Sequence, residues 1–172
     1  MSNILFPIIT LIVIALLVYV MANAKKKDDH FDEMQLIKRL NGYKLGFFVL
    51  LIELGVYAGL SAFYTDLKDR VEPSIAIFMI LLVGILCFAV YCIFNEAFFA
   101  MGENTKVYSV ICAAVVLINC VNAYNSISKG DFLKDGVITF DGTGNIAAAA
   151  VFAIILVCII VKSVLVKKEA DE

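Results

Sequence analysis

Five long apolar stretches constrain this chain more than any other feature of its sequence. They cover residues 4–23, 43–64, 74–95, 107–126 and 145–166. Each is about as long as the 20 or so residues of helix that cross a bilayer core. Lys162 lies close enough to the end of the last stretch for its ammonium group to reach the interface. The sequence therefore predicts an all-α fold, a single domain over residues 1–172 that forms an integral membrane bundle of five transmembrane helices.

The composition rules out a soluble enzyme and leaves little room for a separate soluble domain. Hydrophobic residues make up 62% of the chain and charged residues 17%, whereas a soluble domain is roughly half apolar and about a quarter charged. The net charge of −2 provides no basic field for nucleic acid. The five cysteines lie in apolar stretches without CxxC spacing, so we interpret them as packing residues and expect no metal site and no cofactor. No nucleotide-binding, zinc-protease or serine-hydrolase motif occurs, so we expect no enzyme.

Lysine and arginine counts in the short loops predict the orientation. The segment between the first two spans, with the start of the second span, contains Lys25, Lys26, Lys27, Lys38, Arg39 and Lys44. Because cytoplasmic loops are enriched in these residues, we predict an external N-terminus and a cytoplasmic C-terminus. Ala22-Asn23-Ala24 is similar to a signal-peptide cleavage site. The cations follow the apolar stretch instead of preceding it, which favours an uncleaved first helix.

The segment 24–42 is the longest predicted cytoplasmic loop. Apolar residues recur at every third position from Phe31 to Leu40, which predicts a short amphipathic helix that ends before Gly42 and lies at headgroup level. One interpretation is a solvated loop that only connects two spans. The other is a docking surface for a protein or for anionic lipid. Its basic residues are Lys25, Lys26, Lys27, Lys38 and Arg39.

The segment 127–143 is the longest predicted external loop. It contains Asp135-Gly136 between two short runs that are rich in apolar residues. An Asp-Gly pair favours a type I′ turn, because both of its residues tolerate positive φ. We therefore predict a β-hairpin here, which would need another loop or the membrane surface to support it.

Glu53 is the most informative polar residue, because it lies near the middle of the second span. A carboxylate at that depth costs several kcal/mol unless it is neutralised, paired or hydrated. Asn119 lies at a comparable depth in the fourth span, with Asn122 nearby, and Tyr57 is one turn from Glu53. We predict an intramembrane polar cluster of these four residues. It either holds helices together through polar contacts or forms a binding or proton-relay site.

Gly55 and Gly59 form a GxxxG pattern in the same span. Small residues four positions apart let a second helix approach closely. Their side of the helix is roughly opposite Glu53, so we predict helix packing there. The pattern is compatible with packing inside the chain or with a homodimer.

A motif leads from the first loop into the second span. It consists of Phe31-Asp32-Glu33-Met34-Gln35 followed by Arg39-Leu40-Asn41-Gly42-Tyr43-Lys44-Leu45-Gly46-Phe47. The stretch 31–47 resembles a recurring pattern of an uncharacterised family of small multi-span bacterial membrane proteins. The resemblance implies a multi-span protein and no particular activity.

Taken together, these features predict a non-enzymatic protein of the bacterial inner membrane. Its expected role is that of an accessory, regulatory or immunity-type subunit, acting through partners within the lipid bilayer or the cytoplasm, or as a homo-oligomer. The alternative is a small transporter or channel subunit with a mid-membrane polar site at Glu53.

Overall fold

A computed structural model describes residues 31–64, 70–101, 103, 105–130 and 133–171. Its helices are α1 (Glu33–Phe63), α2 (Pro73–Phe94), α3 (Thr105–Ser128) and α4 (Phe140–Asp171), and its strands are β1 (Leu133–Lys134) and β2 (Val137–Ile138). The all-α class is confirmed. All four helices are long and apolar enough to cross a membrane. The predicted first span, 4–23, lies outside the described residues.

Helix α1 begins at a capping box. The Asp32 carboxylate accepts a hydrogen bond from the backbone N–H of Gln35 at 2.7 Å, and the Gln35 side chain accepts one from the N–H of Asp32 at 3.4 Å. The helix then continues past Gly42 to Phe63. The prediction of a short helix ending before Gly42 is therefore wrong. A glycine inside a helix costs only about 1 kcal/mol, and Gly42 is buried against α2.

The helices pack in the lateral order α1, α2, α4, α3. The central contact joins α2 to α4. Its buried residues are Leu82, Ala89 and Ile93 from α2 with Ala147, Val151, Ile155 and Ile159 from α4. The four residues of α4 recur every fourth position, so they form one stripe along that helix. Consequently α1 and α3 occupy the two outer positions.

Glycines bring α1 and α2 together. A methyl group added at Gly42 would lie 2.6 Å from the Sγ atom of Cys92, a residue with no exposed surface. One added at Gly46 would lie 3.0 Å from the carbonyl oxygen of Gly84. The backbones therefore approach to a distance that a larger residue at either position would prevent.

The hairpin lies at the end of the bundle where α1 ends and α2 begins. Asp135 and Gly136 have φ angles of 54° and 80°, as a type I′ turn requires. Support comes from the loop before α2: the N–H of Ile138 donates to the carbonyl of Arg70 at 2.9 Å, and that of Glu72 donates to the carbonyl of Ile138 at 3.0 Å. The structure thus contains the hairpin that the Asp-Gly pair predicts, held by a neighbouring loop.

Glu96 joins three helices at the opposite end. It follows α2 with a φ of 61°, and the N–H of Ala97 donates to the carbonyl of Cys92 at 2.8 Å, which forms a Schellman cap. Glycine usually occupies this left-handed position, where another residue costs about 1–2 kcal/mol. The Glu96 carbonyl accepts from the Gln35 side chain at 2.7 Å, and its carboxylate pairs with Lys162 at 2.8 Å.

This ion pair predicts a pH dependence of stability. The hydrogen bond and the charge of Lys162 hold the pKa of the Glu96 carboxyl below its usual value, against a small opposing effect of burial. A lowered folded-state pKa stabilises the fold above the usual pKa, and this stabilisation is lost as the pH falls through the lowered pKa. We expect Glu96→Gln to reduce the fall in melting temperature between about pH 6 and about pH 3. If the melting temperature of the variant fell as much as that of the wild type, the ion pair would not stabilise the fold.

Candidate functional site

A cleft of about 380 Å³ lies between α1 and α2, beyond their glycine contact. Its walls are Glu53, Val56, Tyr57 and Leu60 from α1 and Ala76, Met79, Ile80 and Val83 from α2. Two of these side chains, the Glu53 carboxyl and the Tyr57 phenol, carry polar groups. The cleft is therefore an apolar recess with a small polar centre.

The Glu53 carboxyl is the unusual feature of this cleft. The side chain is half-buried, and its Oε2 atom has no exposed surface and no hydrogen-bond partner among the described residues. Leaving a buried acceptor unpaired costs about 1–3 kcal/mol. The described residues do not compensate this cost. A donor or cation in the cleft could pair with this oxygen only if the carboxyl group rotated toward the cleft.

The predicted polar cluster forms only in part. Glu53 and Tyr57 line the same cleft, but Asn119 and Asn122 lie on α3 at the far edge of the bundle. Asn119 donates its amide hydrogen to the carbonyl of Val115 on its own helix at 2.8 Å. The prediction rested on the similar membrane depths of Glu53 and Asn119. It is wrong because α2 and α4 lie between α1, which contains Glu53, and α3, which contains Asn119.

Gly55 and Gly59 lie on an open side of α1. A methyl group added at either position would meet no other part of the described chain within 4 Å. The predicted packing there is absent from the described residues, which leaves a second chain or the undescribed segment 1–30 as possible neighbours. The GxxxG pattern that does pack is Gly42 with Gly46, which our sequence analysis missed although its spacing is the same.

Most of the outer surface of α1 is apolar and exposed. The large exposed side chains in its middle that do not line the cleft are Phe47, Phe48, Leu51, Ile52 and Leu54. At 3.6 residues per turn these positions span roughly 160° of the helix circumference. A single packed neighbour corresponds to an apolar stripe about 100° wide. One further helix would therefore leave part of α1 open.

The predicted basic docking surface is only partly described, because Lys25, Lys26 and Lys27 lie outside the described residues. Lys38 and Arg39 belong to α1 and are half-buried. The Arg39 guanidinium lies 4.5 Å from the centre of the Phe31 ring, and its Nε atom donates to the Tyr43 hydroxyl at 3.4 Å. Arg39 is therefore engaged within the chain, and it is not a freely projecting cation.

No protein-family model, curated protein or solved structure matches this chain. The proposal below therefore rests on the structure alone, above all on the unpaired Glu53 carboxyl and the cleft around it.

Proposed function

We propose that the chain is an integral protein of a bacterial inner membrane and acts as an accessory, regulatory or immunity-type subunit through partner helices. The four apolar helices support the membrane location. Together with the segment 4–23 they would give five spans, with the N-terminus outside. The Glu96 end, where α1 begins and α4 approaches its own end, would then be cytoplasmic, as the lysines and arginines of the loops predict.

The unpaired Glu53 Oε2 atom is the observation that carries the proposal. We infer that a partner contributes a transmembrane helix with a hydrogen-bond donor or a cation at mid-membrane depth, which enters the cleft and pairs with Glu53. The chain's own first span contains no Lys, Arg or His between residues 4 and 23. A cation for this carboxylate would therefore come from another chain.

The abundance of the complex tests this role. The tagged chain is extracted from its native membrane in polymer-bounded lipid discs, and the fraction of the recovered chain that is accompanied by a second membrane protein in the same disc is measured. Glu53→Gln keeps the shape of the side chain but replaces the carboxyl group with an amide, a weaker acceptor that cannot pair with a cation, so we expect that fraction to fall severalfold. The matched control is Glu33→Gln, which alters an exposed carboxylate on the same helix. Equal effects of the two variants would contradict the proposal.

A ligand or transport site at Glu53 is the second candidate, and the volume of the cleft favours it. Small-molecule sites range from about 300 to 1,000 Å³, and this cleft falls within that range. Glu53→Cys, in a chain without its five native cysteines, would then react with a membrane-impermeant thiol reagent. Ile52→Cys, at nearly the same depth on the open side, should not react. Equal protection of both positions would eliminate this candidate.

A further inference from the structure

A second cavity lies at the Glu96 end of the bundle, far from the Glu53 cleft. Its volume is about 450 Å³. It is formed by the loop that follows α2, by Thr105 at the start of α3, and by the last turns of α4. Nothing in the proposed function uses this cavity.

The walls of this cavity are amphiphilic. Ile93 and Ile159, which are 3% and 2% exposed, give it an apolar interior. Lys162 and Lys167, one and a half turns apart on α4, add two ammonium groups. A ligand that suits both parts has an apolar portion and an anionic head.

The charges at the cavity favour an anion. Lys162 pairs with Glu96, and no carboxylate of the described side chains forms an ion pair with Lys167. Among the described side chains, Lys167 therefore adds to the cavity one positive charge that no carboxylate pairs with. The first residue of α3, Thr105, also lines it, so the positive end of that helix dipole lies beside the same space.

We propose that this cavity binds an anionic phospholipid of the adjacent leaflet. The phosphate would lie between Lys167 and Thr105, and the first part of an acyl chain would lie along the apolar interior. This inference rests on the proposed membrane location. The predicted last span ends at residue 166, which places the two lysines near headgroup depth, where basic pockets between helices bind anionic lipids.

Lipid retention by the purified full-length chain tests the proposal. Native mass spectrometry compares retained phosphatidylglycerol with phosphatidylcholine of the same acyl chains. We expect the wild type to retain one phosphatidylglycerol preferentially, and Lys167→Gln to weaken that retention about fivefold, as expected for one lysine near a charged surface. The matched control, Lys168→Gln, removes the neighbouring exposed charge, which does not line the cavity, and should change retention less than twofold.

A second variant keeps both lysines and narrows the cavity. Ser163→Leu places a larger apolar side chain in its wall and should also weaken phosphatidylglycerol retention. Equal effects of Lys167→Gln and Lys168→Gln, or equal retention of the two lipids, would overturn the proposal. Displacement of the lipid by glycerol 3-phosphate at a similar concentration would also overturn it, in favour of a free-anion site. Because the isolated chain is used, none of these failures would affect the Glu53 proposal.

Discussion

Gly46→Leu is expected to separate α1 from α2 and to lower the free energy of unfolding by about 1–3 kcal/mol. The first atom of the new side chain would lie 3.0 Å from the Gly84 carbonyl oxygen and 3.3 Å from the Cβ atom of Phe88. Both atoms are fixed to the backbone of α2, so neither can rotate away. Unfolding of the purified chain by SDS, followed by circular dichroism, measures the loss.

Gly59→Leu is the matched control for this prediction. It makes the same change on the same helix, but among the described residues no atom outside the adjoining helix backbone lies within 4 Å of the added Cβ position. Leucine also has a higher helix propensity than glycine, by somewhat less than about 1 kcal/mol. We therefore expect Gly59→Leu to be neutral or slightly stabilising in dilute detergent. Equal stability of the two variants would show that the contact between α1 and α2 is not as close as described.

Glu53→Leu is expected to stabilise the isolated chain by about 1–3 kcal/mol, while it abolishes association with the partner. The carboxyl Oε2 atom has no partner within the described fold, so its removal eliminates an uncompensated cost of burial. The same SDS titration measures stability, and the fraction of the chain in complexes measures association. A gain in stability together with a loss of association indicates a polar group that serves binding and not folding.

Two comparisons sharpen this second prediction. Glu53→Gln keeps a polar group of the same shape, so it should stabilise the isolated chain less than Glu53→Leu does. Tyr57→Phe removes the other polar group of the cleft and should leave stability nearly unchanged. If Glu53→Leu destabilised the isolated chain, the carboxyl would stabilise helix packing within the chain itself. The proposal of a partner would then lose its main support.

Much of the local structure was predictable from the sequence. The spans predicted at 43–64, 74–95, 107–126 and 145–166 coincide largely with the four helices, because only a helix satisfies the backbone of a long apolar stretch. Asp135-Gly136 predicted the hairpin, because positive φ at two consecutive residues is a strong local requirement. Helix ends were less predictable: Asp32 begins α1 well before the apolar stretch that it leads into.

The lateral arrangement was not predictable. Two GxxxG patterns occur in α1, and nothing in their spacing shows that Gly42 and Gly46 meet α2 while Gly55 and Gly59 remain open. Apolar side chains cover the helices on nearly every side, so periodicity does not identify the packed face. Depth alone suggested that Glu53 meets Asn119. Depth contains no information on the order of helices, which the packing of buried side chains determines.

Photo-crosslinking from the cleft shows whether a partner helix occupies it. A photoreactive amino acid replaces Met79, an exposed residue of the cleft wall, or Leu81, an exposed residue on another side of α2 that does not line the cleft. Cells that express either variant are irradiated, and the tagged chain is recovered. If a partner helix fills the cleft, we expect a discrete adduct with another membrane protein from position 79 and none from position 81. Equal adducts from both positions, or an adduct from position 79 only within the same chain, would contradict it.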